Sequence, residues 1–423
     1  MPETEADIAI VGAGAAGLVA AIHSARRGPS RPRIVLLDAR RKIGAKILMS
    51  GGARCNVTHR EVSPADYEGG PRHFVKHVLE AFPPEKTRLF FEAIGVALTL
   101  EETGKYFPVT HSGKTVLEAL LKETARLGVD LKTGVRITRV GKTGEFFLLK
   151  GEGGFEMASR RVILTPGGLS YPETGSDGTG YHIAKDLGHT VRPTSPALTP
   201  LTTDDKSWKL LSGIALPARL SFYKDGRKEA ERTGSFLFTH FGFSGPVALD
   251  ISRFFTACDP ARAPVIEADF LPGRSAEELL GLFSEASREN PERSLRGFLT
   301  ESGGLPERFA GTLLEKAGVD PRTRIGRCRA AERRRLFRAV FRYPLEVTGA
   351  VGYKKAEVTA GGVELAGIKD STMESRSLPG LYFAGEILDV DGRIGGFNFQ
   401  WAWSSGYVAG TSAAAGLYGG KPR

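Results

Sequence analysis

With 423 residues the chain exceeds what a single hydrophobic core usually supports, so two or three domains are expected, with one inserted into another. An apolar share of 41% with 25% charged residues is ordinary for a soluble globular protein, while 53 glycines point to close backbone approach somewhere in the fold. The formal charge of +10 raises nucleic acid as a partner, but its excess is local: nine arginines (322, 324, 327, 329, 333, 334, 335, 338 and 342) stand against one acid, Glu332. Leu336, Phe337, Val340 and Phe341 give that block a buried side, so it reads as the solvated face of an amphipathic helix, with RNA or another anionic ligand as the lesser reading.

Cys55, Cys258 and Cys328 form neither a CxxC pair nor a zinc pattern, which argues against a disulfide framework or a metal site and suits a reducing cytosol. The start, MPETEADIAIVGAG, carries acids where a signal peptide carries positive charge, so a cytoplasmic protein is expected. Phe397 to Gly420 is uncharged and long enough to span a membrane, yet its serines, glycines and alanines read as a packed helix.

In chain order, Asp7 to Ala13 reads as a buried strand, followed by a glycine turn, a helix to about Arg27 and a second strand from Arg33 to Asp38: a right-handed βαβ unit. A long loop over 40–68 precedes helices at about 71–81, 84–95 and Lys114–Leu127. Strands at Asp130–Val140, Glu145–Lys150 and Arg161–Leu164 form a meander that rejoins the parallel sheet at TPGG. The expected fold class is α/β, a Rossmann-like domain of residues 1–193 and 346–423 interrupted by an insert at 194–345. Within the insert, about 194–270 reads as β-rich, and 275–290, 295–302, 306–317 and 329–341 read as helices. Leu381 to Ala384 is again a short buried strand.

The fingerprint Gly12-Ala13-Gly14-Ala15-Ala16-Gly17 sits between a strand and a helix, the context that dinucleotide binding requires. Gly12 serves the turn, Gly14 the approach of a pyrophosphate and Gly17 the packing of helix on strand, while the helix N-terminus offers N–H groups to phosphate. Asp38 ends the second strand where an acid accepts from both ribose hydroxyls and repels a 2′-phosphate, so FAD or NAD fits better than NADP. Ser50-Gly51-Gly52-Ala53-Arg54-Cys55-Asn56 follows the basic stretch Arg40, Arg41, Lys42, Lys46, and its loop N–H groups with Arg54 suit a pyrophosphate or a flavin ring. Cys55 reads as small-residue packing rather than a redox group. Near the C-terminus, Gly385-Glu386, Asp389, Asp391 and Gly395-Gly396-Phe397-Asn398-Phe399-Gln400 open a second helix, where an acid suits ribityl hydroxyls and the helix N-terminus suits negative charge on a reduced flavin. Two such ends favour FAD over NAD.

The strings DIAIVGAGAAGLVAA, KILMSGGARCNVT, LTPGGLSYPETGSDGTGY, FTHFGFSGPVAL, VTAGGV and TMESRSLPGLYFAGEILDVDGRIGGFNFQWAWSSGYVAG together resemble the BaiN/aminoacetone-oxidase family of bacterial, YhiN-like FAD-dependent oxidoreductases. The resemblance spans almost the whole chain. It implies FAD contacts at Gly12 to Gly17, at Asp38 with Ala39, Arg40 and Lys46, and at Gly51, Gly52, Arg54, Cys55 and Asn56. It further implies contacts at Gly385, Glu386, Asp389, Gly395, Gly396, Phe397 and Asn398. Val135 matches the position that holds adenine by its backbone, and Thr165, Gly167 and Gly168 match the turn that passes the adenosine. Ala53 stands where a glycine is common, and GFNFQ where GYNLQ is common.

The implied activity is hydride or electron transfer through flavin N5 between a reduced donor, NAD(P)H or an amine, and a small organic acceptor or dioxygen. Other readings are an RNA-modifying flavoprotein that uses the arginine block, and a flavin-binding regulatory protein. With no second nucleotide fingerprint in the sequence, NAD(P)H would dock transiently. His111, Tyr171 and His240 are candidate proton donors by residue type alone, and no catalytic residue is assigned.

Overall fold

A computed structural model describes residues 5–27 and 32–418. Its packing divides the chain into one unit of Met1–Ser195 with Glu357–Arg423 and a second of Pro196–Ala356. The second boundary falls later than 345 because Gly349 and Ala350 pair with Thr202 and Leu201, and Val351 N–H bonds Pro200 O.

In the first unit, β1 (Glu5–Val11), α1 (Ala15–Ala25) and β2 (Ile34–Asp38) form the βαβ unit, with Ile8 beside Ile34 and Val11 beside Leu37 in parallel register. Both strands are nearly continuous apolar runs because both faces of a parallel sheet are covered. The stretch read as a long loop contains α2 (Ala45–Met49), β3 (Thr58–His59) and β4 (Tyr67–Gly69). Next come α3 (Arg72–Ala81), α4 (Pro84–Ala93), β5 (Leu98–Leu100), β6 (Lys105–Pro108) and α5 (Gly113–Arg126). The single strand expected over 130–140 is two: β7 (Asp130–Thr133) pairs parallel with β2, and β8 (Ile137–Thr143) pairs antiparallel with β9 (Phe146–Gly151). Gly134, at φ +75°, turns the chain between them. The meander continues into β10 (Glu156–Leu164), which lies parallel to β1. α6 (Thr179–Asp186) and β11 (Val191–Ala197) lead out of the unit.

The second unit is built on an antiparallel sheet of β12 (Leu201–Thr202), β13 (Ala215–Lys224), β14 (Arg227–Thr239), β15 (Gly242–Ser244), β16 (Val265–Asp269), β17 (Tyr343–Pro344) and β18 (Gly349–Ala350). Short α7 (Lys206–Lys209) precedes β13, and α8 (Pro246–Thr256) follows β15. Four helices stand where they were expected: α9 (Ala276–Glu289), α10 (Leu295–Glu301), α11 (Glu307–Lys316) and α12 (Ala330–Phe341). The region read as β-rich also contains α8, which Pro246 opens at its first turn and which buries Val247, Ala248 and Ile251. Trp208, fully buried, packs on Phe238, Phe309 and Tyr343 at the centre of this core.

Back in the first unit, β19 (Val358–Val363) pairs with β11, β20 (Leu381–Phe383) adds to β10 in parallel, and β21 (Val390–Gly392) pairs with β4. α13 (Phe397–Leu417) then packs along α1. An added Cβ on Gly406 would lie 2.5 Å from Ala16 O, and one on Gly410 would lie 2.3 Å from Ala20 O, so these glycines set how closely the two helices approach. Among the described residues, no helix is long and apolar enough to cross a membrane.

Candidate active site

β1 and β10 deliver the fingerprint turn to the end of the parallel sheet. A Cβ on Gly12 would lie 2.3 Å from Thr165 O, and one on Gly17 would lie 1.9 Å from Gly12 O, so both glycines are fixed by internal packing. Gly14 differs: a Cβ there would meet nothing within 4 Å. Gly14 caps α1, so this open space lies at the helix end, where the first-turn N–H groups, those of Ala15 and Ala16 included, have no partner within the helix. Thr165 hydroxyl donates to Val11 O and Gly12 O at 3.0 and 2.8 Å and so clasps the turn.

Asp38 lies at the end of β2, one strand over. Its Oδ2 accepts from Ala13 N–H and its Oδ1 from Arg40 N–H, both at 2.7 Å, and burial raises its pKa. Each oxygen retains a lone pair for a ribose hydroxyl. Half-buried Ala39 and exposed Arg40 follow. Val135 N–H is already bonded to Asp38 O at 2.8 Å, which leaves the Val135 carbonyl as the group able to meet adenine. A Cβ on Gly167 would lie 2.5 Å from Ser176 Oγ, and one on Gly168 2.5 Å from Thr359 Oγ1; both are packing glycines.

Lys46, Ser170 and Glu386 form a closed triangle that the sequence did not show. Lys46 Nζ donates to Glu386 Oε2 at 2.5 Å and to Ser170 Oγ at 2.6 Å, and Ser170 donates to Glu386 Oε1 at 2.5 Å. Thr359 N–H adds a bond to Oε1 at 3.0 Å. The triangle joins α2, the loop after β10 and the turn after β20.

The Ser50–Asn56 loop holds Gly51, Gly52, Ala53 and Cys55 at positive φ, two of them non-glycine residues in a region that side chains disfavour. Arg54 is engaged here: its guanidinium stacks on Phe107 at 4.0 Å and pairs with Glu101 at 2.6 Å, fastening the loop to β6 and to the turn between β5 and β6. Cys55 is fully buried and its pKa is pushed up to about 12 by burial, which keeps it a neutral thiol. Asn56 is buried, and its Oδ1 has no hydrogen-bond partner among the described residues.

Gly395 and Gly396 bring the chain into α13 at φ +128° and +95°. Asn398 spends its amide on Gly392, accepting its N–H at 2.8 Å and donating to its carbonyl at 2.9 Å. Phe397 stacks on His59, and Asp389 is buried with its carboxylate 3.9 Å from Arg192. Further along α13, buried Gln400 accepts from Thr58 and Thr87 and donates to Phe82 O and Ser404. Trp403 donates to Val57 O, and Trp401 and Ser405 bond Gly385. These α13 side chains, of which the sequence motif included Gln400 alone, lock the flanks of the loop and the Gly385 turn in place.

The proton-donor candidates are dispersed. His111 is exposed, and Tyr171 is half-buried in the left-handed region beside Ser170, its pKa raised by burial. His240 lies exposed in the second unit. Among the described residues no group of acids, histidines and cysteines is arranged to hold a metal ion.

The residues fit FAD: open space at Gly14 for phosphate, free lone pairs on Asp38 for ribose, and an orphaned amide oxygen at Asn56 beside a helix N-terminus. Fold and site together define a Rossmann-type, dinucleotide-binding oxidoreductase. The HI0933-like protein Rossmann domain matches residues 6–412, and the chain belongs to that family. It is 33% identical over 408 residues to the 3-dehydro-bile acid delta(4,6)-reductase of Clostridium scindens, covering 96% of this chain and 98% of that one. It is 34% identical to the ribosomal RNA dihydrouridine synthase of Haemophilus influenzae over 95% of this chain and 97% of that one. The enzyme of that name from Escherichia coli is 33% identical over 95% of this chain and 96% of its own.

Proposed function

We propose that the protein is an FAD-dependent reductase that saturates a carbon–carbon double bond conjugated with a carbonyl group. The observation that carries this reading is chemical. Relatives at nearly equal identity are named for unlike molecules, a 3-dehydro bile acid and a uridine in RNA, yet both names describe saturation of a bond of this kind. FAD, when bound, supplies the hydride chemistry. The chain's own part is to hold phosphate at the α1 N-terminus, ribose at Asp38 and the ring end between Asn56 and α13, and to keep Cys55 out of the reaction as a neutral thiol. Asp38 disfavours a 2′-phosphate in this site, so NADH or NADPH would act as a transient donor elsewhere.

For the acceptor, a uridine in RNA is favoured over a small enone by one observation. In and around α12, most of the arginine block is committed. Arg322 pairs with Asp320, Arg324 and Arg327 with Glu292, and Arg342 with Glu267, while Arg335 bonds the carbonyls of Ala317 and Gly318 and Arg333 lies over Phe283. Arg334 and Arg338, one turn apart on α12, and Arg329 at its N-cap remain exposed, with no ion-pair partner among the described residues, so their charge is open to phosphates. The test is anaerobic. The protein reduced with NADH or NADPH is offered a uridine-rich RNA and a conjugated steroid enone, and the saturated product is sought by mass spectrometry. A dihydrouridine product supports the RNA reading, a saturated steroid supports the small-molecule reading, and reoxidation by neither contradicts the reductase assignment.

A further inference from the structure

Asn56 lies in the loop between α2 and β3, only 7% exposed, and its side-chain Oδ1 accepts no hydrogen bond among the described residues. A buried amide oxygen without a donor is costly and rare, so a ligand donor is the natural complement. The oxygen faces a defined corner: a Cβ added to Gly396 would lie 2.8 Å from Asn56 Oδ1 and 2.8 Å from the Thr58 carbonyl carbon. Gly396 is the N-cap of α13, a 21-residue helix whose first N–H groups have no intrahelical acceptor. One acceptor therefore stands beside a set of donors. Packing holds it there, because a Cβ on Gly51 would lie 3.0 Å from the Phe107 ring and 3.5 Å from Asn56 Cβ.

A group with an N–H next to a carbonyl matches this corner, and the pyrimidine edge of the isoalloxazine ring has that imide pattern. We propose that Asn56 Oδ1 accepts a hydrogen bond from the N3–H of FAD, with the α13 N-terminus facing the adjoining carbonyl. This rests on the FAD reading of the site and adds to it a specific acceptor that selects the unmodified imide.

The test compares FAD with 3-methyl-FAD, which cannot donate from N3, in reconstituting the apoprotein. The wild type is expected to bind 3-methyl-FAD about 10- to 100-fold more weakly than FAD, the effect of one buried hydrogen bond and its stranded acceptor. Asn56→Leu keeps bulk at the position and removes the acceptor. It should weaken FAD to the level of 3-methyl-FAD while changing the affinity for 3-methyl-FAD by less than about threefold. Equal binding of both flavins by the wild type overturns the proposal, as does an Asn56→Leu protein that retains full affinity for FAD. If that variant does not fold, alkaline titration of the bound wild-type flavin gives the answer. An accepted N3–H keeps its proton at a pH where free FAD has lost it, and ionisation at the same pH as free FAD contradicts the assignment. A chain that binds neither flavin refutes the FAD reading itself, an outcome distinct from equal binding of the two.

Discussion

Gly385 lies directly against Ala16: a Cβ built on Gly385 would sit 2.8 Å from that of Ala16. The C-terminal glycine turn and the first turn of α1, far apart in sequence, therefore meet at one place. Gly385 also has φ +79°, so alanine there is both strained and crowded. Gly385→Ala is expected to displace the first turn of α1, with a stability loss of about 1–3 kcal/mol and weaker FAD retention. Thermal melting of apoprotein and flavin release on dilution measure the two effects separately.

The three fingerprint glycines should separate into different phenotypes. Gly14→Val meets open space, so the apoprotein folds with near-normal melting while FAD retention is abolished. Gly17→Val meets Gly12 O at 1.9 Å, so the fold itself suffers, by more than about 3 kcal/mol. Circular dichroism and flavin absorbance on the two purified variants distinguish these outcomes.

Lys46→Met leaves the Glu386 carboxylate without its cation in a mostly buried setting. The expected cost is about 1–3 kcal/mol, scaled down from a fully buried pair because both side chains keep some solvent contact. Lys46→Met combined with Glu386→Gln should cost less than the sum of the two single changes, and urea denaturation of the four proteins tests that coupling.

His23 gives a pH dependence. It is buried among Phe82, Phe90 and Tyr407, its Nε2 has no partner among the described residues, and burial lowers its pKa from 6.5 to about 3. Between those values the unfolded chain takes up a proton that the folded one refuses, so stability falls as pH drops below 6.5, by up to about 1.4 kcal/mol per pH unit from this group. Glu123, held down to about 2 by hydrogen bonds from Arg126 and Arg26, adds to the loss as pH falls below 4.5. His23→Leu should therefore lose less melting temperature between pH 7 and pH 5 than the wild type does, and an equal loss in both proteins would contradict the assignment.

For the RNA reading, Arg334→Ala with Arg338→Ala should lower the slope of log affinity against log salt by about 1–2 with melting unchanged. Arg335→Ala removes bonds to Ala317 and Gly318 and should instead destabilise the second unit. A double variant with wild-type RNA affinity and salt slope would remove α12 as the contact.

What could be read in the sequence was local. β1, α1 and β2 were legible because apolar runs and a glycine turn within 38 residues specify them, and the four late helices because their apolar periods are regular. The stretch from 40 to 68 was not, since β3 and β4 exist only through pairing with β6 and β21. Asp130 to Val140 shows one strand pattern but serves two partners on either side of Gly134. Residue type does not show internal use. The Arg54 and Asn398 side chains bond Glu101 and Gly392, and Ser170, which carries no local signal, ties the loop after β10 to Glu386.

The most direct test of the central claim is anaerobic single-turnover reoxidation of the reduced flavoprotein by a conjugated carbonyl acceptor, followed at the flavin absorbance band. The expected result is a yellow protein that, once reduced, is reoxidised by a uridine-containing RNA or a conjugated enone far faster than free reduced flavin, with one saturated bond formed per flavin. A colourless protein that FAD cannot reconstitute, or a reduced flavoprotein that only dioxygen reoxidises, would contradict it.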